Sequence, residues 1–347
     1  MLNRDERLDF CKGMLIIGVI LGHVYNAFQA GAGHSFFIHE FVRTYDMPMF
    51  AFISGILLRK SCSKRNSIQN IKGKTLNILL PALLWNWIFS LLSGHIIPEI
   101  GGGLWFLYSL FCSSIIIIVI DKINNTVFQA ICFITITIIF HTLIIDPFKI
   151  GFLLPPTIVG YYYESIEQTI KRRFTRKTMM ISKWCIVFLF VLAQSFWQQS
   201  FTVWNLGCDL LKNGQYINNA IGISLRFTIG ILGCLVMKDL FTYIYEGFCF
   251  RTRPDLLEVK KWIVLWGQAT MELYVLHAWI ISIAGAKLVN IIIQRIGYNP
   301  FLTNEKLLCF IIGPTVTIVS LFLIYYFSMA IKKIPIIGKY VFSFSKK

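Results

Sequence analysis

The stretch KGMLIIGVILGH, from Lys12 to His23, decides the class of this protein, because it is an apolar run with an ionisable side chain at each end. It lies within a longer, mostly apolar segment, residues 10–30, and about 20 residues is the length at which an α-helix crosses the hydrocarbon core of a membrane. Hydrophobic residues make up 56% of the 347 residues and charged residues 14%. The mean hydropathy of +0.65 exceeds that of soluble domains, so the sequence predicts an integral membrane protein.

Apolar runs of similar length recur along the chain. Each predicts a membrane-spanning helix rather than the short alternating strands of an outer-membrane barrel. We predict an all-α polytopic membrane protein, one domain over residues 1–347, with about ten transmembrane helices and both termini in the cytoplasm. The predicted spans are 10–30, 41–58, 76–96, 103–120, 127–145, 150–164, 184–200, 218–237, 262–284 and 307–331. The sixth contains Pro155 and Pro156, so a broken or re-entrant helix is an open alternative there.

The positive charges predict the orientation. There are 33 Lys and Arg residues against 17 Asp and Glu, a formal net charge of +16. They gather in clusters between apolar runs, such as RKSCSKRNSIQNIKGK and KRRFTRK, and do not form a nucleic-acid recognition module. With an inside N-terminus, the outside loops contain only Arg43, Lys149, Lys212, Lys287, Arg295 and Lys306. The positive-inside rule therefore favours an even number of spans. Because the cations lie between apolar runs, we predict a lipid bilayer as the surroundings and no nucleic-acid partner.

Two further patterns bear on processing and on metal binding. The nine cysteines contain no CxxC pair, and most lie in apolar runs where a thiol acts as a small hydrophobe, so we predict no disulfide framework and no metal site. The basic start, the apolar core and the AGA at 30–32 fit the outline of a cleavable signal peptide. We favour a retained first span, because the nine remaining spans would break the charge pattern.

Lys12 and His23 share one face of the first predicted helix. They are separated by three helical turns, or roughly 16 Å along the axis. Lys12 taken alone is most simply an interfacial cation whose ammonium reaches the aqueous boundary. A histidine inside a span indicates a functional site, with a helix-to-helix hydrogen bond as the alternative.

The stretch RLDFCKGMLIIGVILGH resembles the start of the family-three membrane acyltransferases, whose first span carries Arg or Lys, then ten residues, then His. MPMFAFISGILLRK, LWFLYSLF, LLPPTIVGYYY and ATMELYVLH resemble the second, fourth, sixth and ninth spans of that family, in the same order. One departure is Asp46, since many members have a histidine at that position. A second histidine role is therefore not carried over to this position.

The resemblance implies the reaction. Such a protein would transfer an acyl group, most simply acetyl, from cytoplasmic acyl-CoA to a hydroxyl of a surface polysaccharide or a lipid-linked glycan precursor. It would be a multi-pass protein of the bacterial cytoplasmic (inner) membrane. Acetyl-CoA would be a donor co-substrate, and no cofactor would stay bound.

A histidine provides the base that acyl transfer needs near neutral pH. We predict that His23 is catalytic, either as general base or as acyl carrier. His277, Arg226 and Asp46 fall at similar predicted depths in the outer half of the membrane and are candidates for catalytic support. A buried arginine needs a partner, and for Arg226 this could be Asp46, Glu272 or a substrate anion. Purely structural roles for His277 and Arg226 remain alternatives.

The donor phosphates require cations. The candidate acyl-CoA-binding residues are Lys12, Arg7, Arg59, Lys72 and Lys74. The positive-inside rule alone also explains the cations in the loop after the second span, namely Arg59, Lys72 and Lys74. Trp105 and Phe106, at the outer end of the fourth span, are either interfacial belt residues or rings that bind the acceptor.

Two other classes compete with an enzyme. In a membrane transporter or exporter, the same intramembrane ionisable residues would form a path for protons or an anionic or lipid-linked substrate. That class predicts internal repeats, and the sequence contains none that we detect. A purely structural membrane protein would leave these residues without a purpose.

Overall fold

The computed structural model describes residues 5–29, 37–97, 102–142, 146–247, 256–281, 307–334 and 341–342, and these contain helices, turns and loops but no strand. Seven helical segments in these ranges are long and apolar enough to cross a membrane. The chain is therefore an all-α multi-pass membrane protein, as the hydropathy predicts. The count of ten spans and the cytoplasmic termini stay predictions. Outside the described residues lie the AGA at 30–32 and three of the predicted outside-loop cations, Lys287, Arg295 and Lys306.

The described helices are α1 (Glu6–Gln29), α2 (Phe37–Arg43), α3 (Asp46–Cys62), α4 (Ser67–Lys74), α5 (Leu80–Leu92), α6 (Trp105–Ile120), α7 (Thr126–Thr142), α8 (Ile150–Arg173), α9 (Arg176–Gln194), α10 (Tyr216–Glu246), α11 (Leu257–Gln268), α12 (Thr270–Trp279) and α13 (Gly313–Lys333). Each predicted span overlaps one of these helices or a consecutive pair. A π-helical turn, Thr75–Leu79, joins α4 to α5.

The helix α8 continues through its two prolines, so the structure favours the unbroken alternative for the sixth span. Its N-terminus is capped by Asp146, whose two carboxylate oxygens accept hydrogen bonds from the backbone N–H groups of Ile150 and Gly151, each at 3.0 Å. Such a cap satisfies two of the N–H groups that a helix start leaves unpaired. Pro155 and Pro156 lie within the second turn, and α8 extends past them.

The chain divides into two compact units, which are described separately. Unit 1 contains Met1–Asp46 and Lys238–Phe342, and unit 2 contains Met47–Met237 and Ser343–Lys347. The division falls inside α10 and at the start of α3. The single domain predicted over residues 1–347 stays a prediction.

In unit 1, glycines bring the backbones of α1 and α11 together. A Cβ atom at Gly13 would lie 2.0 Å from the carbonyl oxygen of Ile263, and one at Gly267 would lie 1.7 Å from that of Asp9. Small residues permit such close packing between helices in membranes. Only Ala269 separates α11 from α12, so this packing also determines where α12 lies relative to α1.

Unit 2 uses the same device between α3 and α8. A Cβ atom at Gly55 would lie 2.1 Å from the carbonyl oxygen of Thr157, and one at Gly160 would lie 2.0 Å from that of Phe52. Buried apolar side chains from α3, α6, α7 and α8 then form a core, namely Leu58, Ile117, Ile118, Ile120, Phe133, Ile150, Leu154 and Tyr161. Four of the helices that match predicted spans therefore share one core.

Candidate active site

Unit 1 brings His23 and His277 together. His23 lies near the C-terminal end of α1, and His277 lies on α12. Their ring centroids are 4.7 Å apart, with the rings inclined at 63°. His277 is 1% exposed, whereas His23 is half-buried. The two histidines that the sequence predicts at a similar depth thus form a ring contact.

A backbone carbonyl orients the ring of His277. Its Nδ1 lies 3.2 Å from the carbonyl oxygen of Leu273, one turn earlier on α12. A ring nitrogen that faces a carbonyl carries the proton of a neutral imidazole, which leaves Nε2 as the hydrogen-bond acceptor. Tyr274 packs against the same ring with a centroid distance of 5.3 Å. The ring of His277 is therefore held on two sides.

The sequence prediction missed a third histidine. His39 on α2 is 2% exposed, and its Nδ1 has no hydrogen-bond partner among the residues that the structure describes. A Cβ atom at Gly22 would lie 3.2 Å from Cδ2 of His39, so the ring packs over the residue that precedes His23. Tyr25 lies against it edge-on at 6.5 Å. We call His23, His39 and His277 the histidine cluster.

Arg43 supplies positive charge to this cluster. It lies one turn after His39 on α2, and its charge acts on both His23 and His39. Its Nη1 is 3.8 Å from a carboxylate oxygen of Glu40. The spacing of His39 and Arg43 at i and i+4 places both on one helix face. That spacing is the sequence signal that could have found them, but the predicted second span begins only at residue 41.

The two acidic residues that the sequence analysis considered as partners of Arg226, Asp46 and Glu272, are both buried. Asp46 is 7% exposed and begins α3. Glu272 is 8% exposed, and its carboxylate forms an ion pair with the ammonium of Lys332. Glu272 and Lys332 therefore join α12 to α13 within unit 1. Of the partners considered for Arg226, Glu272 already has a cation of its own.

The two predicted donor-binding cations of unit 1 both form ion pairs. Nζ of Lys12 is 2.7 Å from Asp9, whose side chain is 4% exposed, while that of Lys12 is 19% exposed. Nη1 of Arg7 is 2.8 Å from Glu246. An ammonium has three donors, so the contact to Asp9 leaves two for another acceptor. The buried carboxylate holds Lys12 in place on α1.

The other predicted donor-binding cations belong to unit 2. Nη1 of Arg59 is 3.4 Å from Asp121 and 3.2 Å from the hydroxyl of Tyr161. Lys72 is exposed, and Lys74, at the end of α4, is half-buried. Their role toward acyl-CoA stays a prediction.

Arg226 holds a loop of unit 2. The residue lies on α10 and is 2% exposed. Its Nη1 donates to the carbonyl oxygen of Phe201 at 3.2 Å and its Nη2 to that of Gly207 at 2.9 Å. Its guanidinium lies 5.1 Å from the ring centre of Phe152, and its Nε has no hydrogen-bond partner among the described residues. The partners of this buried cation are thus backbone carbonyls, which the sequence prediction did not consider.

Trp105 and Phe106 are buried in unit 2, at 6% and 5% exposure. The ring of Trp105 packs edge-on against Trp204 at 5.7 Å and lies 6.4 Å from Phe152. Phe106 packs against Phe50 at 6.0 Å. The structure therefore places both rings in contacts with other aromatic residues, and their binding of the acceptor stays a prediction.

The described residues include no group of three or more His, Cys, Asp and Glu side chains that could hold a metal ion. The three members of the histidine cluster are arranged through ring contacts and backbone carbonyls. The chemistry that this arrangement can carry out is proton transfer or nucleophilic attack by an imidazole.

Comparisons with known proteins identify the family. The model of the acyltransferase domain of acyltransferase family 3 matches residues 5–333. Nodulation protein NolL of Mesorhizobium japonicum is 30% identical over 140 residues, which are 35% of this chain and 38% of that protein. Nodulation protein NolL of Sinorhizobium fredii is 23% identical over 296 residues, 79% of this chain and 77% of that protein. No solved structure is significantly similar. Because the family model covers nearly the whole chain, the protein belongs to acyltransferase family 3.

Proposed function

We propose that this protein O-acylates a glycan at the bacterial cytoplasmic membrane. The donor is cytoplasmic acyl-CoA, with acetyl as the group transferred, and the acceptor is a hydroxyl of a surface polysaccharide or a lipid-linked glycan precursor. The observation that carries the proposal is the 4.7 Å contact between His23 and His277 in a chain of this family.

His23 performs the transfer in this proposal. As a general base, it takes the proton of the acceptor hydroxyl while the oxygen bonds to the acyl carbon. The C–S bond of the thioester breaks, and the proton passes from the imidazolium to the leaving thiolate. In the covalent variant, the imidazole first bonds to the acyl carbon as the C–S bond breaks, and the ring proton passes to the leaving thiolate. The acceptor oxygen then bonds to the acyl carbon as the C–N bond breaks, and the hydroxyl proton returns to the imidazole. Both routes need an unprotonated nitrogen of His23 facing the substrates.

His277 and His39 serve His23 in different ways. The carbonyl of Leu273 fixes the ring of His277, so the contact with His23 limits how the catalytic ring can rotate. The buried Nδ1 of His39 has no partner among the residues that the structure describes, and a buried polar atom without a hydrogen bond is costly. We assign this nitrogen to the acceptor hydroxyl. Arg43, whose charge reaches the cluster, stabilises the negative charge that develops on the carbonyl oxygen.

Lys12 holds the donor in this proposal. It lies three helical turns before His23, roughly 16 Å along α1, and an extended pantetheine arm can bridge that distance. Asp9 holds the ammonium in place, and its remaining donors are available to a phosphate oxygen. The exposed Lys72 is a further candidate for the donor phosphates.

The test is transfer by the purified protein in lipid nanodiscs. Radiolabelled acetyl-CoA is supplied with and without a panel of oligosaccharide acceptors, and labelled glycan and free CoA are measured. Labelled glycan, or hydrolysis of the donor without acceptor, supports the proposal. Binding of either substrate without release of CoA would favour a transporter and overturn it.

A further inference from the structure

A polar cavity lies in unit 2, in the segment between α9 and α10. Its volume is about 550 Å³, within the range of roughly 300–1,000 Å³ that is common for small-ligand sites. Most of its lining side chains carry amide, hydroxyl or amino groups, namely Gln198, Ser200, Asn205, Lys212, Asn213, Gln215, Asn218 and Asn219, and the remainder are Phe201, Leu206 and Ile221. We call it the amide cavity.

The backbone around the amide cavity is held by side chains rather than by regular secondary structure. Arg226 binds the carbonyls of Phe201 and Gly207. Nδ2 of Asn219, which is 6% exposed, donates to the carbonyls of Leu210 at 3.0 Å and Lys212 at 2.8 Å. These buried donors therefore fix both halves of the segment.

Further contacts hold the same segment at its edges. Nδ2 of Asn205 donates to the carbonyl of Gln199 at 2.8 Å. The backbone N–H of Leu210 donates to the carbonyl of His141, at the end of α7, at 2.7 Å. A Cβ atom at Gly222 would lie 2.7 Å from the ring of Phe201, so the segment packs directly on α10. The cavity is thus formed before a ligand arrives, which lowers the entropic cost of binding.

The cavity has the chemistry of a sugar site. Amide side chains offer both donors and acceptors, which suits vicinal hydroxyl groups. Asn213, Gln215 and Asn218 are exposed at the cavity. Lys212 is the charged residue of the lining, and its ammonium already donates a hydrogen bond to the carbonyl oxygen of Asn205. The lining therefore favours a neutral, hydroxyl-rich ligand over an anion or a cation.

The positive-inside rule indicates that the segment 195–215 lies on the outer side of the membrane. The N-terminal end of α9 lies at the basic cluster KRRFTRK. The segment 195–215, at its C-terminal end, contains only one Lys and one Asp. Positive clusters mark the cytoplasmic side of a membrane. The amide cavity therefore faces the compartment in which surface glycans are found.

We propose that the amide cavity binds sugar rings of the acceptor glycan. This rests on the proposed function and deepens it, since it names the place at which the acceptor is recognised. Gln215 and Asn218 supply hydrogen bonds to sugar hydroxyls, and Asn219 and Arg226 are positioning residues that hold the segment in shape.

The test uses the full chain in nanodiscs and the double substitution Gln215→Ala with Asn218→Ala. Gln168→Ala is the matched control, because it removes an exposed glutamine of α8 that lies outside the cavity. Loss of two hydrogen bonds should raise the KM for the acceptor roughly tenfold, while saturating acceptor restores kcat. The control should leave both constants unchanged.

Binding is measured without chemistry by saturation-transfer NMR, with tetra-N-acetylchitotetraose, maltotetraose and cellotetraose as probes and sorbitol as the reference. We expect at least one tetrasaccharide to bind the wild-type protein and to lose this binding in the double variant. Equal binding by the double variant and the control, or binding of no tetrasaccharide, would overturn the amide cavity as an acceptor site. Failure of the proposed function is distinguishable, because it would abolish release of CoA in the wild-type protein.

Discussion

The histidine cluster of unit 1 and Arg226 of unit 2 are both made of ionisable side chains on helices, but their surroundings differ. Both Nη atoms of Arg226 are bound to backbone carbonyls, and only its Nε is without a partner among the described residues. In the histidine cluster, His39 keeps a buried ring nitrogen with no partner among the described residues, and His23 is half-buried beside His277. The general expectation that an intramembrane charge is functional must therefore be refined by the partners that the fold supplies.

The comparison separates two uses of a buried polar group. A donor that satisfies the carbonyls of an irregular segment contributes to stability, because each such carbonyl is costly when left unpaired. A buried ring nitrogen without a partner lowers the stability of the fold and is available to a substrate. Substitutions in the first region should affect the folded state, and those in the second should affect chemistry.

The largest expected effect is at His23. We expect His23→Ala and His23→Gln each to reduce transfer by at least about a hundredfold, the scale of general-base catalysis. Glutamine keeps bulk and hydrogen-bonding capacity but cannot take a proton at neutral pH or carry an acyl group. The measurement is initial-rate transfer from labelled acetyl-CoA.

Expression and thermal unfolding of both variants in detergent serve as the control, and we expect wild-type values. A glutamine variant that transfers at nearly the wild-type rate would show that His23 is a helix-packing residue. That result would also remove the distinction between the two regions.

A smaller effect is expected at His39. His39→Phe keeps an aromatic ring over Gly22 and against Tyr25 but removes the ring nitrogens, so we expect transfer to fall roughly tenfold, the value of one lost hydrogen bond to a reacting group. The unfolding temperature should not fall, because the Nδ1 of His39 makes no hydrogen bond with any described part of the chain. His39→Asn, which restores a polar group, should recover part of the rate.

The readout for His39 is the rate of transfer at saturating acceptor together with thermal unfolding. A variant that loses stability in proportion to its activity would assign His39 to packing. Equal rates in His39→Phe and the wild-type protein would exclude it from the site.

The smallest catalytic effect, with the largest effect on structure, is expected at Arg226. Arg226→Met leaves the carbonyls of Phe201 and Gly207 unpaired, which should lower stability by about 1–3 kcal/mol. Burial raises the pKa of the Cys208 thiol to about 12, so this thiol should resist maleimide at neutral pH in the wild-type protein. We expect it to react in Arg226→Met, because the segment around it loosens.

Modification of Cys208 is quantified by peptide mass spectrometry, which separates it from the other cysteines. Arg173→Met is the control, since it removes an exposed arginine at the end of α8. A protected Cys208 in Arg226→Met, with a loss of transfer as large as that of His23→Gln, would place Arg226 in the chemistry instead.

The amino-acid sequence by itself determined the class of the protein and its family. Hydropathy is a sum over residues and needs no tertiary contact, so the runs of apolar residues identify helices such as α6 and α10 directly. The spacing of Lys12 and His23 follows from helix geometry alone. The motif ATMELYVLH carries His277 in the same local way.

Only the tertiary structure decided which of the ionisable groups meet. His39 lies outside every predicted span, and its place over Gly22 depends on the packing of α2 against α1. The ion pair of Glu272 with Lys332 and the carbonyl partners of Arg226 join residues far apart in the chain. Hydropathy and helical spacing describe one helix at a time, whereas a partner is a property of two helices or of a helix and a loop. The physical reason is that the free-energy cost of burying a polar group depends on its hydrogen-bond or charge partner, and that partner is fixed only when the helices pack.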